Sequence, residues 1–499
     1  MALGIASLEQ EYRSRMLDLR GGLNNSLVDE MIADNELSDV RNLLPDIHQS
    51  GVLIKREGIV KKSSQMSEAI SSVFCGKNAD YFTTLTTIRS LSGTSLDASL
   101  TSKTAPDWAS FDDASLGMLD VFVNGAEERR TTDGSSWADV GGSPPNFKYI
   151  SSYNRFLFGG GHDTGHLRWS AVENSASWPA INEIIVNDDI TGLVWYGRSL
   201  IMFCENSFHH ITGTDENGMS ITHSNTEVGC ASHRSIVVTP FGLFWWSNRG
   251  MIWSPDGFKV SNPMLSVIPQ TYASLKESRF SLVHGIFNPR LNCVSMWVTT
   301  SSASTEDMRI DYFPEEINSQ RQGGSSRYGS FWLSNGDGAE MAASGIVTES
   351  GEDVIYVGGT GSAPYLYTQT GENDDGTTIL AYLETKRETA QMGEDVTKRI
   401  KNIDLLFILS GASSLSYGIY VDDGMDIEQS WDFTLTPIGS FILDVSALDS
   451  GVLGSGKGPG RQRVGYNRKW RKLKHRLFDS TAFQTRFRGI INTGKVIHG

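Results

Sequence analysis

Five stretches of this chain repeat one local design, and the repetition limits the fold more than any other feature. YNRFLFGGG from Tyr153, VWYGRSLIMFCENSFHHITG from Val194, VVTPFGLFWWSNRGMIWSPDG from Val237, HGIFNPRLNCVSMWVTT from His284 and DVIYVGGTGSAPYLYTQTG from Asp353 each join a short turn to an aromatic-rich strand, often with a second turn and strand behind it. The first four begin 41, 43 and 47 residues apart, which matches the ~40–50 residues of one four-stranded propeller blade. FVNGAEERRTTDGSSW, from Phe122, reads as an earlier and more degenerate copy. One blade cannot bury both of its faces, whereas blades arranged around an axis bury each other's. Phe244, Trp245, Trp246 and Trp253 are the large fillers such contacts need.

The repeats occupy only part of the chain. At 499 residues it exceeds the size at which one core stops growing, and 51 Gly, 12 Trp, 15 Tyr and 22 Phe favour strands and tight turns. The expected class is mainly β: an N-terminal arm at 1–45, a β-propeller at 46–375, and a C-terminal β-sandwich-like domain with a basic tail at 376–499. In the arm, Ser7 and Gln10 fit a capping box, and Leu8, Tyr12, Met16 and Leu19 follow at helical spacing, which predicts a short amphipathic helix. Gly21 and Gly22 mark a turn, and Leu37, Val40, Leu43 and Leu44 predict another helical turn ending before Pro45. Such an arm is either a local cap or a docking element. GENDDGTT, at 371–378, reads as an acidic linker, and the longer strands NIDLLFILSG and SLSYGIYVDDG follow it.

The formal net charge of -15 argues against a general nucleic-acid binder, which must neutralise phosphates. It is compatible with a conduit whose wall does not hold DNA. The charge is uneven: residues 457–499 carry 12 Lys plus Arg against the single acid Asp479. In RKLKHRLF, an extended backbone puts Leu473, His475 and Leu477 on one face and Lys472, Lys474 and Arg476 on the other, and Arg486 and Arg488 repeat the pattern opposite Phe483 and Phe487. A helix over the first stretch also gives a basic face. Lys472, Lys474, Arg476, Arg486 and Arg488 are therefore the candidate assembly surface. A solvated face, an acidic protein neighbour and phosphate contact remain open as its use.

Cys75, Cys204, Cys230 and Cys293 lack metal-ligand spacing and read as reduced core residues. The amino terminus has charges where a signal peptide needs an apolar run, and no stretch nears ~20 apolar residues, so a soluble chain with no membrane span is expected. GVLGSGKG, at 451–458, nearly matches a phosphate-binding loop, but Gly458 replaces the magnesium-holding hydroxyl, and Pro459 and Gly460 oppose the required helix. GGGHDTGH groups His162, Asp163 and His166, types that bind metals, yet its glycines predict a turn at a blade edge with no fourth ligand in view. His209 and His210 fall on opposite faces of a strand. TTDGSSW resembles an aspartate box with Asp133 and Trp137 one residue too close, and there is no GxSxG elbow or HExxH helix. The expectation is a non-enzymatic chain with no catalytic, cofactor-binding or metal residues.

RGGLNNSLVDEMIADNELSDVRNLL, then KREG at Lys55–Gly58, then YNRFLFGGG, ITGLVWYGRSLIMF and VGCASHRSIVVTPFGLFWWSNRGMIW, resembles the tail nozzle proteins of short-tailed bacteriophages, also called tail hub or packaged-DNA-stabilisation proteins. The resemblance covers most of residues 20–260 and thins afterwards. It implies a virion protein of the short tail, assembled in the host cytoplasm, that forms a ring of six copies below the portal and adaptor. That ring extends the channel, helps retain packaged DNA and passes the viral duplex during ejection. It further implies contacts with a needle or plug and with tail fibres or spikes, and it carries over no catalytic residue. A glycan-binding or glycan-cleaving phage propeller and a cellular propeller scaffold are the alternatives that the blade pattern admits.

Overall fold

The computed structural model describes residues 11–102, 105–261, 264–314, 329–335, 340–389, 396–409, 413–435, 458–481 and 485–497. Seven small sheets follow one another along the chain from residue 70 to residue 378. Blade 1 runs Ile70–Cys75, Asp80–Thr84, Ile88–Ser90, Ser95–Asp97, and blades 2, 3 and 4 repeat the four-stranded antiparallel meander from Asp107, Tyr149 and Ile190. Blade 5, from Val237, has three strands, and blade 6, from His284, has four. Blade 7 takes Met341–Glu349, Glu352–Gly359 and Leu366–Gln369, and its fourth strand is Ile59–Lys61 from the other end of the chain, paired antiparallel to Leu366–Gln369. The ring closes where Ile70–Cys75 meets Met341–Glu349. The chain is thus a seven-bladed β-propeller with an appended β domain.

Each of six smaller apolar clusters sits between two successive blades, and the largest fills the contact of blades 5 and 6 and continues into the appended domain. The period-2 geometry of strands explains the division. Along Ser199–Cys204, every residue of which is buried, Leu200, Met202 and Cys204 pack toward blade 3 while Ile201 and Phe203 pack toward blade 5. Likewise Leu243 and Trp245 face blade 4, and Phe244 and Trp246 face blade 6. Four of the sequence repeats start on a blade's innermost strand, whereas the copies at Phe122 and Asp353 start on the second strand.

Both ends of the chain build the second domain. One sheet orders Gly458–Gly465, Lys398–Leu409, Thr485–Val496, Leu53–Lys55 and Leu43–Pro45, with Glu11–Met16 also paired to Thr485–Val496. The other orders Gly22–Leu23, Glu36–Arg41, Ala381–Thr385, Leu473–Asp479, Ser413–Val421 and Gln429–Leu435. Leu405, Phe407 and Ile490 of the first share one core with Leu383, Tyr417 and Leu477 of the second, so the domain is a β-sandwich.

The helical arm expected at 1–45 is corrected by these pairings. Leu8 and the Ser7–Gln10 box lie outside the described residues, and Tyr12 and Met16 are buried in a strand, because a spacing of four is even and puts both on one strand face as well as on one helix face. Leu37 to Leu44 span two strands broken at Asn42, whose φ of 57° turns the chain. The expected boundary at 45 therefore falls inside the sandwich. The 371–378 linker is a hairpin on the outer edge of blade 7.

Candidate assembly surface

Leu473–Asp479 is a strand with the predicted alternation, but its basic face is covered. Lys474 Nζ lies 2.8 Å from both Asp29 and Glu384 and is only 11% exposed at the side chain. Lys472 reaches Glu30 at 3.4 Å and Asp423 at 3.3 Å, and Arg476 lies 3.6 Å from Glu384. Burial works to lower the Lys474 pKa, yet the hydrogen bonds and charges of Asp29 and Glu384 prevail and raise it. Arg486 donates to Asp46 at 2.8 Å, while Arg488 is exposed. The five candidates therefore do not form one free surface. Four face acids of the same chain, three of those acids in the N-terminal segment. Farther along the tail, Arg461 and Arg463 converge on buried Asp404 and hold its carboxyl at about 2 against the opposing effect of burial.

The KREG motif is the joint between the domains, one residue at a time. Lys55, fully buried, donates to Thr481 O at 2.8 Å and lies 3.3 Å from Asp479, both in the sandwich. Arg56 grips Asp374 of blade 7 with bonds of 2.8 and 2.6 Å, and its Nε donates to Asn42 at 2.9 Å. Glu57 meets Arg290 of blade 6 at 2.8 Å. Gly58 passes so close to Asn373 that a Cβ would stand 1.9 Å from its carbonyl oxygen. Asn42 adds a bond from Asn335 N of blade 6 at 3.0 Å and donates to Leu380 O at 2.6 Å.

The SHRS turn bridges the blades at the centre of the ring. Arg234 donates to Ala342 O at 2.6 Å, Leu282 O at 3.0 Å and Ser71 O at 3.3 Å, which joins blade 7, the entry to blade 6, and blade 1. His233 faces Pro106 O at 3.4 Å, ahead of blade 2. Burial, with Arg234 alongside, pushes the His233 and His284 imidazoles down to about 3, so both are neutral. SHRS lies in the stretch that resembles the nozzle family, but nothing in the sequence says that His233 and Arg234 point inward.

The other motifs are placed as follows. Residues 451–457 of the phosphate-loop look-alike lie outside the described residues, and Gly458 opens a strand, not a helix. Asp133 accepts from Ser135 N and Ser136 N, which holds its carboxyl well below the usual range, and Trp137 packs on Tyr81 and Trp108. His209 bonds Ser224 at 2.7 Å, while His210, on the other face, bonds Ser199 at 2.7 Å and Gly257 O at 2.9 Å. All four cysteines are free; Cys204, Cys230 and Cys293 are buried, but Cys75 ends an exposed strand tip and is not a core residue. His162 and His166 do converge, joined by Glu183 from the neighbouring strand, a residue the sequence reading did not select. No helix among the described residues is long and apolar enough to cross a membrane.

No family model and no curated protein matches the chain. Among solved structures it is similar to the Neurospora crassa Pan2 WD40 domain at 8% identity and a TM-score of 0.40, covering 64% of this chain and 98% of that one. The Myceliophteria thermophila Cps50 (Swd1) β-propeller domain is similar at 10% identity and a TM-score of 0.42, covering 63% and 99%. A streptogramin B lyase is similar at 11% identity and a TM-score of 0.38, covering 62% and 97%. Similarity this low assigns no activity, and the ring of seven sheets defines the propeller by itself.

Proposed function

We propose that this chain is a structural subunit of a short-tailed phage tail, a nozzle or hub protein. Six copies form a ring below the portal and adaptor that lengthens the DNA channel, helps retain the packaged duplex and conducts it at infection. The observation that carries this reading is the joint. The residues that resemble the nozzle family between 20 and 58 include those that fix the sandwich to blades 6 and 7 through Asn42, Arg56, Glu57 and Gly58. A ring subunit must hold its two domains in one orientation while a long polymer slides past.

Two further features agree with it. Arg234 and His233 bridge the blades at the centre of the single propeller, so a duplex passes between subunits and not through one of them. Several cations of the basic tail are also paired with acids of the same chain, which carries a formal net charge of -15. An acidic wall repels phosphate over ~8–10 Å at ordinary salt and shortens its dwell time. The adaptor, a needle or plug, and a fibre or spike are the expected neighbours in the virion.

The test is an image of the assembled particle with this chain tagged, together with the native mass of the purified chain and duplex-DNA binding at low salt. The expected result is density below the adaptor, a six-copy ring and weak binding. A tag on the outer fibres, or sustained cleavage of host polysaccharide that is lost on changing one acidic pair, would replace the nozzle with a glycan-active propeller.

A further inference from the structure

Between the second and third strands of blade 3 the chain turns through Gly161 and Gly165, with φ of 75° and 70°. The turn is tight: a Cβ on Gly165 would stand 1.8 Å from Val186 O. It brings His162 back toward His166, their ring centroids 6.0 Å apart. The fourth strand supplies Glu183, in register with Arg168 and therefore diagonal to His166 on the same face. One donor atom from each of His162, His166 and Glu183 lies within 4.8 Å of the other two, which makes this the one such His, Cys, Asp and Glu group among the described residues.

Two details point to a cation. His166 Nδ1 and Glu183 Oε1 are 2.9 Å apart, whereas two ligands on one tetrahedral ion with bonds of ~2.0–2.2 Å stand roughly 3.3–3.6 Å apart. An ion can thus take the place of the shared proton with a small outward shift. The Nδ1 of His162 is buried with no hydrogen-bond partner, an unusual state for an imidazole nitrogen in a folded protein. Arg168 Nε donates to the same Glu183 oxygen at 2.9 Å and so competes with an ion for this carboxylate. Asp163, 72% exposed, has its Oδ2 4.0 Å from His166 Nε2, the ring nitrogen turned away from Glu183, and stands outside the group.

We propose that His162, His166 and Glu183 form a binding site for one divalent transition-metal ion, and that Arg168 is the counter-ion of Glu183 when the ion is absent. Two imidazoles and one carboxylate suit zinc, cobalt or nickel, while magnesium and calcium require oxygen ligands. Three protein ligands leave a position for water. The ion ties the loop of blade 3 to its outermost strand, at a rim of the propeller remote from the sandwich joint.

The test uses the full chain and cobalt chloride alone, read by the visible absorption of bound Co²⁺ and by calorimetry, with magnesium chloride as competitor. One equivalent of cobalt should bind with visible bands, and excess magnesium should not displace it. His166→Ala and Glu183→Gln should each weaken binding by ~100-fold or more, beyond the ~10–100-fold that loss of an outer partner costs. Arg168→Gln removes the competing cation and should tighten binding about tenfold, a gain that a misfolded variant cannot imitate. His48→Ala, outside the cluster, should leave it unchanged. Absence of saturable cobalt uptake by the wild-type chain, or uptake that survives both His166→Ala and Glu183→Gln, overturns the site. Weaker binding in Arg168→Gln overturns the role given to Arg168.

Discussion

Lys474 is the most direct test of how the chain's two ends hold together. Its ammonium bridges Asp29 from the N-terminal segment and Glu384 from the neighbouring strand, each at 2.8 Å. Replacing it by Met keeps the stem and leaves two carboxylates facing each other. An exposed pair is worth ~0–1 kcal/mol, and removing one partner of a fully buried pair costs ~3–5 kcal/mol. Arg387, 3.8 Å from Asp29, and Arg476, 3.6 Å from Glu384, compensate in part. The expected cost of Lys474→Met is therefore about 2 kcal/mol, between those limits. Lys474→Glu costs more, because a like charge at ~4 Å and an effective dielectric near 20 adds up to ~4 kcal/mol before the side chains swing apart. The assay is urea unfolding followed by tryptophan fluorescence, with Trp431 and Trp470 in the sandwich, and with Arg488→Met as the exposed control. Because the folded-state pKa of Lys474 is raised, its contribution is complete below the unfolded value of ~10.4 and is lost only as pH climbs through the raised one. Wild type and Lys474→Met should keep a constant gap from neutral pH to about pH 9. If Lys474→Met and Lys474→Glu both unfold within ~0.5 kcal/mol of Arg488→Met, the ion pairs do not fasten the N-terminal segment and the reasoning fails.

Two further outcomes follow from the core and from the tail. Trp246, fully buried between blades 5 and 6, should cost ~3–5 kcal/mol as Trp246→Ala, and partly buried Trp253 should cost less in the same unfolding assay. Asp404, whose carboxyl is held at about 2 by Arg461 and Arg463, contributes stability that is present above the unfolded pKa of ~3.9 and lost as pH falls toward 2. Acid unfolding of Asp404→Asn should accordingly lose pH dependence between roughly pH 5 and 2 relative to wild type.

The blades were legible because their signal is local: a short turn such as Asn154–Arg155, with φ of 46° and 69°, between aromatic strands, repeated at blade length. The seven-fold count was not legible, since blade 5 has three strands and blade 7 borrows Ile59–Lys61 from the far end. The N-terminal strands were misread because Tyr12 and Met16 satisfy both periods, and only the partner strand Thr485–Val496 decides between them. The basic face of Leu473–Asp479 was correct as a pattern and misjudged as a surface. Asp29 and Glu30, which cover it, lie more than four hundred residues earlier and show no sequence relation to it. Glu183 was missed for the same reason on a smaller scale: it reaches His166 across a strand register, not along the chain.

Glu11 stands opposite Lys495 in adjacent antiparallel strands, so Thr485–Val496 completes a sheet that strands more than four hundred residues earlier need. During translation the strands Glu11–Met16, Glu36–Arg41, Leu53–Lys55 and Ile59–Lys61 lack their distant partners until blade 7 and the sandwich strands behind it have emerged, and strand pairing across so long a loop is slow. A truncated product lacks both the clasp on blade 7 and the sheet that anchors it, and its unpaired edges leave it exposed to proteolysis or aggregation. The same adjacency makes the molecule a candidate for circular permutation. A linker joining residues 11 and 497, with new ends opened at an exposed blade turn such as Gly197, which a Cβ would leave in open space, should convert the slowest pairing into a local hairpin while keeping the finished ring.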